Sequence, residues 1–333
     1  MNMSAMKDPC NEDAMNSQTA AQRGSRPYRS LTACGVLSIV AVTGGLFAPG
    51  AGAQQAFASP QQAADALDAS WRGGSNAQVI TILGAGAERL VRSGDPIAER
   101  RAKDQLAAAY ANEHRIEFVD QREAQLVLGT EAWPYPIPLV RQKGGWQFDV
   151  QSGAAQIIDR RIGRNELSAI DVCRVYVQAQ RDYAGGDPLG DGRHEYARRI
   201  GSSRGMRDGL YWQTAPDASD SPLGPLVAVA EARGYDLGGA GSNAPFRGYQ
   251  FRILTRQGHG APGGARDYIV DGHLTGGFAM VAFPARYGDS GVMTFVVNQD
   301  GIVFEKNLGP QTSTIAQHMV EYNPDRTWEI VQP

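Results

Sequence analysis

The sequence predicts an α+β fold in two parts: three helices with an antiparallel sheet over residues 54–152, then a long helix and a second antiparallel β domain over 153–333. Three observations carry this. The cap-and-proline pairs Ser59-Pro60 and Asp95-Pro96 each open an amphipathic run. The apolar period changes from helical to strand-like at Arg115. A second long helical pattern, Ala154 to Tyr183, then precedes a glycine-punctuated series of short apolar strands.

Taken in order, Ala64, Leu67 and Trp71 follow Pro60 at helical spacing until Gly73-Gly74 ends the run. Asn76 opens a second helix through Val79, Ile80 and Leu83, and Ile97, Leu106 and Tyr110 mark a third as far as Asn112. Strands are expected at 116–119, 125–128, 137–140 and 146–150, with Gly144-Gly145 as a hairpin turn. Trp133-Pro134-Tyr135-Pro136-Ile137-Pro138 reads as an extended edge or strap, because its prolines have no N–H to give a central strand. In the long helix Gly163 is a candidate break or kink. A short helix at 226–232 and an exposed loop from Gly234 to Gly248 follow. Strands are then expected at 249–255, 268–270, 277–283, 292–297 and 302–306, and a closing helix at 313–322.

Residues 1–53 read as an export signal: Arg23, Arg26 and Arg29 precede an apolar stretch from Leu31 to Ala48, and Ala51-Gly52-Ala53 fits a signal peptidase. Cleavage after Ala53 and a periplasmic or secreted protein are the expectation. Gly44, Gly45 and Pro49 weaken the rival reading of an uncleaved anchor. Leu31-Thr32-Ala33-Cys34 has a lipobox pattern but stands at the start of the apolar stretch, where a lipobox does not. Without the leader only Cys173 remains of three cysteines, which excludes an intramolecular disulfide. With 32 basic and 35 acidic residues the formal charge is −3, no footprint for nucleic acid or an acidic membrane. Arg160, Arg161, Arg164, Arg174 and Arg181 read as a solvated helix face.

Three groups invite chemistry. Gly288-Asp289-Ser290-Gly291 is the run around the serine-protease nucleophile, and Ser290 would need a base, for which His259 and His273 are the candidates. The same four residues fit ordinary turn chemistry between strands, and that is the stronger reading. Asp187, Asp191 and Glu195 space oxygen ligands as a calcium loop does, except that Leu189 stands at a ligand position and leaves few carboxylates. Otherwise no cofactor is expected. The aromatics Trp133, Tyr135, Trp146, Tyr211 and Trp212 read as core and interface material.

Five segments together resemble one family. Ser93-Gly94-Asp95-Pro96, the run Trp133 to Leu139, Arg161-Ile162-Gly163-Arg164-Asn165-Glu166-Leu167, Arg207-Asp208-Gly209-Leu210-Tyr211-Trp212, and Gly291 to Phe295 with Asp300-Gly301 look like the domain of unknown function 2950 family. That resemblance implies an exported bacterial protein of the periplasm, with no catalytic residues to carry over. Ala179-Gln180-Arg181-Asp182-Tyr183 followed by Gly190-Asp191-Gly192 is also similar in order to type IV pilin and pseudopilin head domains, although polar Arg164, Asn165, Glu166 and Asp171 interrupt the helix where a pilin spine is apolar. The expected function is that of a non-enzymatic envelope protein acting through a protein partner, with Trp133, Tyr135 and Pro136 as the docking strap. A Ser290 hydrolase or a calcium- or ligand-binding module is the alternative.

Overall fold

The computed structural model describes residues 54–213, 221–236 and 244–332, so the leader and its cleavage site lie outside the described residues. Helix α1 (Pro60–Gly73) is capped by the Ser59 hydroxyl, which accepts the Gln62 N–H at 3.2 Å, and stops at left-handed Gly74. Helix α2 (Asn76–Leu83) takes Ser75 as its cap, with Asn76 already helical. A short helix α3 (Glu88–Val91), which the apolar period does not reveal, precedes α4 (Pro96–Asn112). Leu67, Trp71, Val79, Leu83 and Tyr110 converge on one apolar core.

That core lies against strands β1 (His114–Phe118), β2 (Glu123–Leu128), β3 (Trp133–Pro134), β4 (Leu139–Gln142) and β5 (Gly145–Phe148). The order is β1-β2-β4-β5, and β3 shares the far edge of β2 with β4. The interruption falls where Pro136 and Pro138 withhold N–H groups from the ladder. The strap is therefore extended, as its prolines require, and its side chains alternate between the core and the surface. Tyr135 is 4% exposed and Ile137 fully buried, with Tyr135 edge-on to Trp71 and Phe148. Trp133 and Pro136 keep partial exposure.

Helix α5 runs unbroken from Val150 to Gly186, so Gly163 neither ends nor interrupts it. Ladder hydrogen bonds on both sides outweigh the weak propensity of one glycine. Its first turns supply Val150, Ala154 and Ile157 to the first core, and Ala169, Ile170, Cys173, Tyr176 and Val177 lie in a second. Burial pushes the Cys173 thiol up to about 12, as a small buried hydrophobe. Residues 54–333 form one compact unit around these two cores.

After α6 (Gly224–Glu231) come β6 (Tyr249–Leu254), β7 (Arg256–Gln257), β8 (Arg266–Asp267), β9 (Ile269–Val270), β10 (His273–Leu274), β11 (Ala279–Pro284), β12 (Thr294–Asn298), β13 (Val303–Lys306), α7 (Thr312–His318), β14 (Glu321–Tyr322) and β15 (Glu329–Ile330). An antiparallel sheet in the order β15-β13-β12-β11-β6 carries the second core, and α5 packs on it with the Tyr176 hydroxyl donating to Ala279 O at 3.1 Å. The mixed α+β class read from the sequence stands. Two local readings change. The closing helix ends at His318, and Glu321–Tyr322 leaves it to pair in parallel with β7. The loop from 234 to 248 is anchored within its described part, because Tyr235 and Phe246 are buried against each other.

Candidate functional site

Three of the sequence motifs meet at one place, where α3, the middle of α5 and the β11–β12 turn touch. Gly288, at φ 76°, lets the turn reverse, and residues 286–290 close into a loop in which Ser290 N–H donates to Arg286 O at 2.9 Å. Ser290 is fully buried. Its hydroxyl accepts from Arg286 N–H at 2.9 Å and donates to Arg286 O at 3.1 Å. Gly291 is forced by sterics, since a Cβ there would collide with the Tyr249 ring.

Carboxylates and guanidinium groups stitch this turn to the rest of the chain. Asp289, 7% exposed, accepts from Arg89 Nε at 2.6 Å and pairs with Arg286 at 3.5 Å. Arg89 also donates to Gly288 O at 2.8 Å, and Arg286 donates to Arg92 O at 2.6 Å. From α5, Arg161 donates to Arg89 O at 3.0 Å and Leu90 O at 2.8 Å. Burial pulls the Arg161 guanidinium below its ordinary range, against the opposing pull of Asp289 and Glu99. Arg161 thus departs from the solvated-face reading that fits exposed Arg160, Arg164, Arg174 and Arg181.

One helical turn further along α5, Asn165 Nδ2 donates to Ser290 O at 2.8 Å, and Glu166 Oε1 accepts from both Val292 N–H at 2.8 Å and Met293 N–H at 3.0 Å. Burial, followed by the Glu166 charge, raises the neighbouring Tyr249 hydroxyl well above its ordinary range. Asp95 completes the junction from the other side. Its Oδ1 caps α4 by accepting Ala98 N–H at 2.9 Å, while Oδ2 accepts from the Tyr235 hydroxyl at 2.9 Å and Gly248 N–H at 2.8 Å. Burial and then Asp95 hold the Tyr235 hydroxyl un-ionised far above its ordinary range. Chemically this is a clamp: each of these carboxylates accepts bonds from the chain's own donors and so holds segments distant in sequence.

The remaining sequence candidates lie apart from it. Among the described residues no hydrogen bond joins Ser290 to His259 or His273. His259 borders a shallow recess of about 370 Å³ with Arg256, Arg266, Asp267 and Glu321. His273 Nδ1 meets Glu195 Oε2 at 2.7 Å, and its ring also contacts Arg193. Asp187 accepts from Gly190 N–H at 3.1 Å and Gly192 N–H at 3.0 Å, and Asp191 from Arg193 N–H at 3.0 Å. Asp187, Asp191 and Glu195 are thus each turned to a different partner, and among the described residues no group of three or more His, Cys, Asp or Glu side chains is placed to hold a metal ion.

Arg89, Glu166, Tyr235 and Gln180 carry structural roles that the sequence reading passed over. Gln180, fully buried, donates to Ala197 O at 2.9 Å and accepts Ala197 N–H at 2.8 Å, which pins the loop after α5. The only signal for Glu166 was its place in the Arg161 to Leu167 segment, for nothing local points to donors 126 residues away.

These features define a class: an α+β protein whose two cores share one long helix and are tied by buried carboxylates. The chain belongs to the family described as protein of unknown function (DUF2950), whose model matches residues 54–331. No curated protein and no solved structure matches it.

Proposed function

We propose that this chain is an exported envelope protein, cleaved after Ala53, that works in the periplasm as a non-enzymatic accessory through a protein partner. The observation that supports the reading is the use made of its protease-like motif. Ser290 and Asp289 are buried and committed to backbone and arginine partners, an arrangement that serves cohesion rather than attack on a substrate. No helix among the described residues is long and apolar enough to cross a membrane, which fits a chain held in the envelope by contacts.

The test has two arms. N-terminal sequencing of the protein recovered from the periplasm should begin at Gln54, and in-cell crosslinking followed by affinity purification and mass spectrometry should return a stoichiometric second protein. A chain retained in the cytoplasm, or one recovered with no other protein attached, overturns the proposal. A fluorophosphonate probe that labels wild type more than Ser290→Ala would favour a hydrolase instead.

A further inference from the structure

Among the described residues strand β1 ends its sheet with no strand on its outer side; its sequence is self-complementary, and we propose that it pairs with β1 of a second copy of this chain to make a two-fold dimer. The opposite edge of the same sheet is closed, since Phe57 exchanges backbone hydrogen bonds with Trp146 of β5 at 2.9 and 2.7 Å. On the β1 side the pairing register fixes which backbone groups face outward. Gly129 N–H donates to Glu113 O at 2.7 Å and Val119 N–H donates to Glu123 O at 3.0 Å, with His114 opposite Leu128 between them. The odd residues 113, 115, 117 and 119 therefore bond to β2, and the N–H and C=O groups of His114, Ile116 and Phe118 point away from it. Such a row is a template for another strand.

The side chains select the occupant. An antiparallel second copy centred on Ile116 sets Ile116 opposite Ile116, Arg115 opposite Glu117, and His114 opposite Phe118. Within one copy Arg115 Nη2 already lies 2.7 Å from Glu117 Oε1. Two copies would close those pairs into a ring of four charges of alternating sign, each arginine between two carboxylates. A foreign strand would have to supply both an acid and a base in this order, whereas a second copy brings them by symmetry. The other face carries the apolar need. Phe118 is 64% exposed on that face and lies edge-on to Trp146 at 5.9 Å at the rim of the core. β1 carries neither the proline nor the lysine that commonly blocks an edge, and the register centred on Ile116 gives it outward-facing donors and acceptors for full pairing.

The experiment is sedimentation of the full-length chain across a dilution series, with a monomer of 35.8 kDa. Wild type should pass reversibly to twice that mass. Arg115→Glu and Glu117→Arg each place like charges opposite one another and should weaken the dimer about tenfold or more, while the double swap restores the alternating ring and should recover wild-type affinity. Circular dichroism of all four proteins should coincide, because both side chains are exposed. A monomer at every concentration overturns the proposal. So does self-association indifferent to the single substitutions, as the apolar stretch from Leu31 to Ala48 would produce, or a double swap that fails to recover.

Discussion

Arg89 Nε donates to Asp289 Oδ1 at 2.6 Å across 200 residues of sequence. The two members of this pair are not equal, for the Asp289 side chain is 10% exposed and that of Arg89 59%. Removing the arginine returns little buried charge to account for, because Arg286 remains beside the carboxylate. Removing the carboxylate withdraws the acceptor on which two arginines converge. Asp289→Ala should therefore lower stability by about 1–2 kcal/mol and Arg89→Ala by less than about 1 kcal/mol. Urea denaturation with an unchanged slope checks both, and an equal or reversed ranking would refute the asymmetry.

Asp95 does two jobs with its two oxygens, and the sequence announced only one. Asp95→Ala removes a helix cap, worth about 1 kcal/mol. It also strands the Tyr235 hydroxyl and Gly248 N–H, at about 1–3 kcal/mol each if no water replaces the carboxylate. The sum is on the order of 3–7 kcal/mol. Ser59→Ala, which removes a cap and nothing else of note, should cost about 1 kcal/mol. Equal losses in the two variants would show that Oδ2 carries no weight.

The same contrast explains what was legible in the sequence. Helices α1, α2 and α4 and strands β2, β5, β6, β11, β12 and β13 follow from caps, turn glycines and apolar period, which are local signals. Buried pairings between distant segments leave no such trace. Asp289 fits a turn whether or not Arg89 faces it, and Glu166 looks like any polar residue on a helix. The strap shows the limit in another way. Proline chemistry fixes Trp133 to Pro138 as extended, yet only tertiary packing decides that Tyr135 points inward. Sequence resemblance brought the Asp95, Glu166 and Gly291 to Phe295 segments into one family pattern, and the fold brings them into one junction.

Glu305 gives a pH-dependent prediction. Burial raises its carboxyl above the usual range, and Glu166 and Glu329 add to the shift. A raised folded-state value means that the native state holds the proton more tightly than the unfolded chain does. The resulting stability is fully present below the unfolded value and is lost as pH rises through the folded one. At neutral pH ionised Glu305 is therefore a net cost, and Glu305→Gln should melt at a higher temperature than wild type. The difference should shrink as pH falls toward 4, the unperturbed range of a glutamate, because wild type becomes neutral there too. A difference constant from neutral to acid pH would refute the electrostatic origin.

Two glycines of α5 separate helix propensity from packing. At Gly163 an added methyl meets nothing within 4 Å, so Gly163→Ala should stabilise by about 0.5–1 kcal/mol through reduced freedom of the unfolded chain. At Gly153 the same methyl would be driven into the backbone of Pro136 and Ile137, where the strap crosses the first turn of the helix. The strap cannot retreat, because Ile137 is fully buried and Gln125 Nε2 donates to Tyr135 O. Gly153→Ala should thus destabilise by about 1–3 kcal/mol although propensity alone favours alanine. Opposite signs in thermal denaturation establish that α5 is continuous at Gly163 and jammed against the strap at Gly153. A loss at Gly163 would mean that the glycine there does serve a bend, and a gain at Gly153 that the strap is free to move.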